Sequence, residues 1–326
     1  MVSQKAPPAA GTDAFPENFI QKQIQKLNDL RDGDRAVDEL ICLGEQAVGH
    51  LREFLINGPP SHIYQPRQRA VRALARLRAC RVLVEYLLIP KDIPDPITRF
   101  GEEAVENTAA RALSAWQTED VFEALMQLAK RRILHGVIET LGLFQRSESI
   151  ALFVLALGDD FARGAAEQSL RSMGSRARPA LLEAIRRPEP SFQQESPSSS
   201  LRRKSAVRIL AAMEWTPDQW PLISIILEDD DPEIFIPVCE IALRVAERNV
   251  KDMAVTRLIN NISRTRRQVH QEIEDIMVKH FDVVQLQIKT KIAERSSNPN
   301  TSSFLDPTLE ALLLICKRAM VARGNL

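Results

Sequence analysis

Residues 36–55 read AVDELICLGEQAVGHLREFL, and residues 165–185 read AAEQSLRSMGSRARPALLEAI. In each, a small residue (Ala36, Ala166) is followed four positions later by Leu40 or Leu170, and three after that by Leu43 or Met173. A step of four and then three keeps all three side chains on one face of a helix. Gly44 or Gly174 then closes the run. Glycine takes positive φ at little cost and suits the residue just past a helix C-terminus. A second apolar-periodic run follows at 47–56 and 177–185, with Pro179 near the start of the latter, where a missing N–H costs little. Each stretch predicts helix, tight turn, helix.

The same triplet recurs outward from these two copies. It is Ala70, Leu74, Leu77; Ala109, Leu113, Trp116; Val137, Leu141, Phe144; Ala206, Leu210, Met213; and Cys239, Leu243, Ala246. Taken together, the first positions are separated by 34, 39, 28, 29, 40 and 33 residues. Apolar second runs follow at 81–89, 121–129, 150–157 and 221–228. The copies at 70–89, 109–129, 137–157 and 206–228 keep the apolar skeleton but lack the turn glycine. A helix pair of this kind has one apolar face too many to stand alone, and stacking on neighbours buries it. The expectation is an all-α chain: a right-handed α-solenoid of about seven helix pairs with an irregular helical C-terminal cap.

Over residues 33–260 these pairs resemble HEAT repeats, especially the bacterial HEAT-like type also seen in phycobilisome lyases. The resemblance rests on L-x-x-L/M-G ending the first helix and on A-V or A-R-P-A opening the second. It implies a stacked helical fold and leaves function open, since HEAT-like chains serve as scaffolds, adaptors and occasionally enzymes. The enzymes of that group suggest an alternative of DNA-glycosylase or chromophore-lyase type. Trp116, Trp215 and Trp220 are the stacking groups a glycosylase would use, but Trp116 occupies a core position of its repeat and the other two flank a turn.

The expected divisions are a disordered tail over 1–16, the solenoid over 17–247, and C-terminal helices with a cap over 248–326. The tail carries Pro7, Pro8, Gly11 and Pro16. A first helix is expected at 17–30. Insertions fall at 57–67, 89–100 and 187–201, the last rich in Ser and Pro and followed by Arg202-Arg203-Lys204. The apolar positions read in the C-terminal part are Leu258, Ile262, Val269, Ile273, Ile276, Val283, Leu286 and Ile292. A polar linker at 296–303 precedes a final helix from Pro307 to Val321, with Asp306 as its N-cap.

Composition narrows the function classes. The 326 residues carry 43 Lys+Arg and 43 Asp+Glu. Zero net charge argues against a general nucleic-acid binder, which needs a phosphate-neutralising excess. No stretch approaches 18 uncharged apolar residues, and the N-terminus lacks the apolar core of a secretory signal. The four cysteines are scattered, as in buried thiols of a cytoplasmic protein.

Catalytic patterns are missing. The five histidines (His50, His62, His135, His270, His280) show no metal-ligand spacing, and there is no phosphate-binding glycine loop or nucleophile elbow. The pairs Glu102-Glu103 and Asp159-Asp160 are read as helix-start acids. The run EDDDPE (228–233) is read as helix-capping acids at a turn, and Arg202-Arg203-Lys204 as a solvated basic spot. Neither a metal nor another cofactor is expected. The expected role is a non-catalytic protein–protein interaction scaffold or adaptor with a protein or peptide partner. Its contacts would lie along the ridge of successive second helices: Arg52, Glu53, Glu85, Glu123, Gln127, Glu183 and Arg186.

Overall fold

The computed structural model describes residues 17–186, 188–191, 194–263, 265–296 and 306–324. The expected tail over 1–16 lies outside the described residues, as do residues 297–303 of the expected linker. The chain is all-α: seventeen α-helices and five 3-10 segments among the described residues, with a two-residue antiparallel β pair, Pro190–Ser191 against Gln194–Glu195.

Contacts divide the described residues into two compact units. The first holds the residues up to Leu152 together with Phe161–Ser169. It contains α1 (Glu17–Lys26), α2 (Gly33–Cys42), α3 (Glu45–Ile56), α4 (Gln65–Arg76), α5 (Cys80–Leu88), α6 (Pro96–Ala112), α7 (Glu119–Arg131) and α8 (His135–Phe144). Helices α9 (Ile150–Ala156) and α10 (Arg163–Met173) span the division. The second unit holds Phe153–Asp160 and the residues from Leu170 onward. It contains α11 (Arg178–Arg186), α12 (Pro197–Ala212), α13 (Pro232–Val245), α14 (Arg248–Asn261), α15 (Arg267–Lys279), α16 (Phe281–Ser296) and α17 (Pro307–Ala322).

Within the first unit each helix packs on its next-but-one neighbour. One row runs α2, α4, α6, α8, and a second runs α1, α3, α5, α7. In the second unit α12, α13, α15 and α17 form one row, while α14 and α16 pack side by side. The repeat reading explains the cores. All seven first positions and all seven second positions of the triplets are buried, among them Ala36, Leu40, Ala109, Leu113, Cys239 and Leu243. The third positions differ: Leu43, Met173 and Ala246 are buried, whereas Leu77, Trp116, Phe144 and Met213 are half-buried. They fall where the helix is already ending, so the tightness of the turn decides their cover.

Gly44 and Gly174 have the positive φ expected of them, 64° and 57°, with ψ of −140° at Gly44. Arg78 and Gln145 stand at the same place in copies that lack the glycine, and they keep the turn with φ of 57° and 54°. The turn thus survives loss of the residue that favours it, because the helices on either side are fixed by packing.

Several boundaries differ from the expectation. The first helix stops at Lys26, leaving Leu30 exposed. Residues 221–228, expected as a second helix, fall instead in two 3-10 segments, Pro217–Leu222 and Ser224–Glu228. Pro221 cannot donate into an α-helical ladder, and its ring obstructs the preceding turn. α6 begins inside the expected insertion 89–100, at Pro96, behind Asp95, whose side chain accepts from the Thr98 N–H at 2.8 Å. α12 begins inside the expected loop 187–201, capped by Ser196. The final helix starts as expected, with Asp306 accepting from the Thr308 and Leu309 N–H groups. Among the described residues no helix is long and apolar enough to cross a membrane.

Candidate interaction surface

The second-row helices bury one stripe and expose the other. α3 buries Ala47, Leu51 and Leu55, spaced by four, and α7 buries Val121, Phe122, Leu125, Leu128 and Ala129. Residues on the opposite side meet solvent. Glu53, Glu123, Gln127, Glu183 and Arg186 are exposed, and Arg52 and Glu85 are half-exposed.

The structure joins some of these residues. The Arg52 Nε on α3 donates to Glu85 Oε2 on α5 at 2.8 Å, and its Nη2 bonds the second carboxylate oxygen. This bidentate bond holds the Glu85 carboxyl below its ordinary pKa and raises that of Arg52. Glu53 accepts from Asn57 Nδ2 at 2.7 Å on its own helix. Glu123 and Gln127 stand one turn apart on α7. Glu183 and Arg186 share α11, in the other unit, where the Arg186 guanidinium donates to the Leu222 carbonyl.

That last bond belongs to a recurring device. Arginines donate to backbone carbonyls at the ends of neighbouring elements. Arg67 reaches Leu55 O at 2.7 Å, Arg131 reaches Leu88 O at 2.9 Å, and Arg203 reaches Ile185 O at 2.9 Å. Arg257 bonds the carbonyls of Leu227 and Asp229. The last carbonyls of a helix have no partner in the helix itself, and a cation there also opposes the dipole. Much of the basic charge is therefore spent inside the fold.

The basic spot and the acidic run are largely each other's partners. Arg202 and Arg203 are buried. Arg203 bonds Glu195 at 2.9 Å and also Asp229, and Lys204 meets Asp231 and Glu233 at 3.2 and 3.0 Å. Asp231 additionally caps α13.

Glu102 and Glu106 of α6 are fully buried, far from the helix start assigned to Glu102 in the sequence reading. Tyr86 OH donates to Glu102 Oε1 at 2.6 Å, and Arg67 bonds both oxygens of that carboxylate. Lys91, from the proline-rich segment before α6, lies 2.8 Å from Glu102 and 3.1 Å from Glu106, with its Nζ 3.4 Å from the Tyr86 ring centroid. Arg132 bonds the same Glu106 oxygen, while Glu106 Oε2 is buried without a hydrogen-bond partner. Burial raises the Glu106 pKa despite Lys91 and Arg132. Burial also pushes that of Glu102 up, but Lys91, Tyr86 and Arg67 outweigh it and leave the group below its ordinary value. Every cation here is held by a carboxylate, so the cluster is a clamp joining α4, α5, α6 and the Lys91 segment. Its sequence signal was the i, i+4 spacing of two glutamates on a helix whose start had been placed too late.

The sequence reading also missed a groove. α16 buries Phe281, Val284 and Ile288, which turns Val283 and Leu286 outward, against the expectation that both are core. Leu286, Gln287, Thr290 and Lys291 of α16 face Thr256, Ile259 and Asn260 of α14 across a cleft of about 290 Å³. Thr256 and Asn260 also line an adjoining hollow of about 540 Å³ with Asp252, Met253, Arg257 and Asn261. The lining is mostly polar: Ile259 and Leu286 are the apolar side chains of the cleft, Met253 that of the hollow, and Asn260 is exposed.

Trp116 and Trp220 are half-buried, and Trp215 is buried with its Nε1 donating to Leu210 O at 2.8 Å. His135 and His270 each bond a backbone carbonyl, of Phe161 and Ile262 respectively. Among the described residues no group of His, Cys, Asp and Glu side chains is placed to hold a metal ion. No family model matches this chain, and no curated protein matches it.

Proposed function

We propose that the chain is a non-catalytic protein-interaction scaffold. Its helix pairs stack as a right-handed HEAT-like α-solenoid, with the C-terminal helices as a cap, and its concave surface, along the ridge of successive second helices, receives a protein segment. The observation that carries this reading is the α14–α16 groove. It sets the apolar side chains of Ile259, Leu286 and Met253 among exposed amide and hydroxyl groups at Asn260, Thr256 and Thr290, a mostly polar lining that suits an extended peptide with unpaired backbone groups. The ridge residues Arg52, Glu53, Glu85, Glu123, Gln127, Glu183 and Arg186 are the further contacts proposed. What weighs against a duplex-binding enzyme is that Arg67, Arg202 and Arg203 are already engaged by carboxylates.

The test is selection of a displayed peptide library on the purified chain, with affinities measured by fluorescence polarisation. Peptides selected on the native chain are expected to lose most of their affinity for the Met253→Asp/Leu286→Asp variant, whose substitutions are exposed and leave the helical circular dichroism unchanged. Selection that yields no binder, or binders indifferent to both substitutions, refutes the groove as the binding site.

A further inference from the structure

α17 ends the first row of its unit on one side only. It packs on α15 and α16 and buries Thr308, Leu309, Ala311, Leu312, Ile315 and Ala319. Its other side leaves Leu313 51%, Leu314 45%, Met320 43% and Val321 58% exposed. α13, in the same row, shows what a covered helix looks like: it packs on α12 and α15 and buries nine residues from Ile234 to Leu243. Four large apolar side chains on one exposed helix face are more than scattered surface residues require.

Two opposite charges mark the same face. Glu310 and Lys317 are exposed, seven residues apart, and neither side chain makes a hydrogen bond or ion pair among the described residues. Their neighbour Arg318, by contrast, is paired with Glu274 at 2.9 Å and Asp275 at 2.6 Å on α15. Seven residues are two helical turns, about 10.5 Å along the axis, so both charges point the same way.

We infer that this face docks on the same face of a second copy of the chain, with the two α17 helices antiparallel. An isologous pair places one patch against itself through a two-fold axis. Setting the axis midway between Leu313 and Leu314 puts Leu313 opposite Leu314 of the second copy. The same register puts Glu310 opposite Lys317 of the second copy, Lys317 opposite its Glu310, and Met320 opposite its Pro307, which is also exposed. A parallel pair would set glutamate on glutamate and lysine on lysine. The charges therefore choose both direction and register, and the leucines supply the apolar contact. One helix pair is a small interface, so the dimer is concentration-dependent rather than permanent.

The experiment is sedimentation equilibrium of the full chain across a range of concentrations. A reversible monomer–dimer equilibrium is expected. Glu310→Lys and Lys317→Glu each set like charges opposite one another at two symmetric places and weaken the dimer by about ten-fold. The double variant Glu310→Lys/Lys317→Glu restores the pairing in reverse and returns the native dissociation constant. A chain monomeric at every concentration overturns the inference. So does a dimer indifferent to both single changes, or a double variant no tighter than the singles. The groove substitutions at Met253 and Leu286 lie on other helices, so failure here leaves the scaffold reading untouched.

Discussion

Replacing Glu102 and Glu106 one at a time by Gln separates two carboxylates that share a helix face, a lysine and nearly complete burial. Glu102→Gln removes the charge that Arg67, Lys91 and Tyr86 all face. Hydrogen bonds to a charged group contribute about 1.5–3 kcal/mol each, and stripping one partner from a buried ion pair costs about 3–5 kcal/mol. Tyr86 and one Arg67 nitrogen can still bond the amide oxygen, so the expected loss is about 3 kcal/mol. Glu106→Gln removes a charge whose ionisation the site disfavours on balance, since burial outweighs Lys91 and Arg132 and one oxygen has no partner. Its expected cost at pH 7 is below about 1 kcal/mol, the range of a tolerated polar exchange.

The pH dependences have opposite signs. Glu102 has a lowered folded-state pKa, so its stabilisation is present above the ordinary glutamate range and is lost as pH falls through the folded value. Glu106 has a raised one, so its contribution is most favourable when protonated and declines as pH rises through the folded value. The Glu106→Gln chain should accordingly gain on the native chain from pH 4 to pH 7. Urea unfolding followed by circular dichroism gives the global numbers, and amide exchange over α5 and α6 gives the local ones. Equal costs for the two variants, or a larger cost for Glu106→Gln, would refute the account of the clamp.

Arg78→Gly should raise stability by about 0.5–1 kcal/mol, because a side chain at φ 57° is strained where glycine is not. Gly44→Ala should cost about 1–3 kcal/mol through backbone strain, since φ 64° with ψ −140° lies outside the regions open to L-residues while nothing lies within 4 Å of the added Cβ; thermal unfolding of both variants checks the pair. Glu240 is held at a pKa of about 2 by His280, whose Nε2 lies 3.7 Å away, and by the hydrogen bond from Lys279. Glu240→Gln should therefore lower the melting temperature at pH 7, with the difference shrinking as pH falls from the ordinary glutamate range toward 2, and a gap that stays constant with pH would contradict this assignment.

What was legible in the sequence was whatever periodicity encodes. The triplet places Ala36 and Leu40, or Cys239 and Leu243, on one helical face, and those faces are the ones buried. Periodicity was ambiguous in α16, where Val283 and Leu286 compete with Val284 and Ile288, and only contact with α14 and α17 decides which pair turns inward. Charge was less legible still. Arg203 and Asp229 lie 26 residues apart, and each reads as solvent-facing until α12 is set beside the turn before α13. The groove was illegible for the same reason: it exists between helices, not along one. Positive φ at Arg78 and Gln145 was not legible either, since neither position carries a glycine.

The capping arginines have a consequence for how the chain comes into being. The carbonyl of Leu88 closes α5, but the guanidinium that bonds it sits at Arg131, 43 residues later. At about 5–20 residues per second on the ribosome, the end of α5 waits several seconds for its cap. Arg67, only 12 residues beyond Leu55, reaches α3 far sooner. At α3 and α5 synthesis thus delivers the helix before the group that seals it, whereas Arg186 is made 36 residues ahead of the Leu222 carbonyl that it bonds.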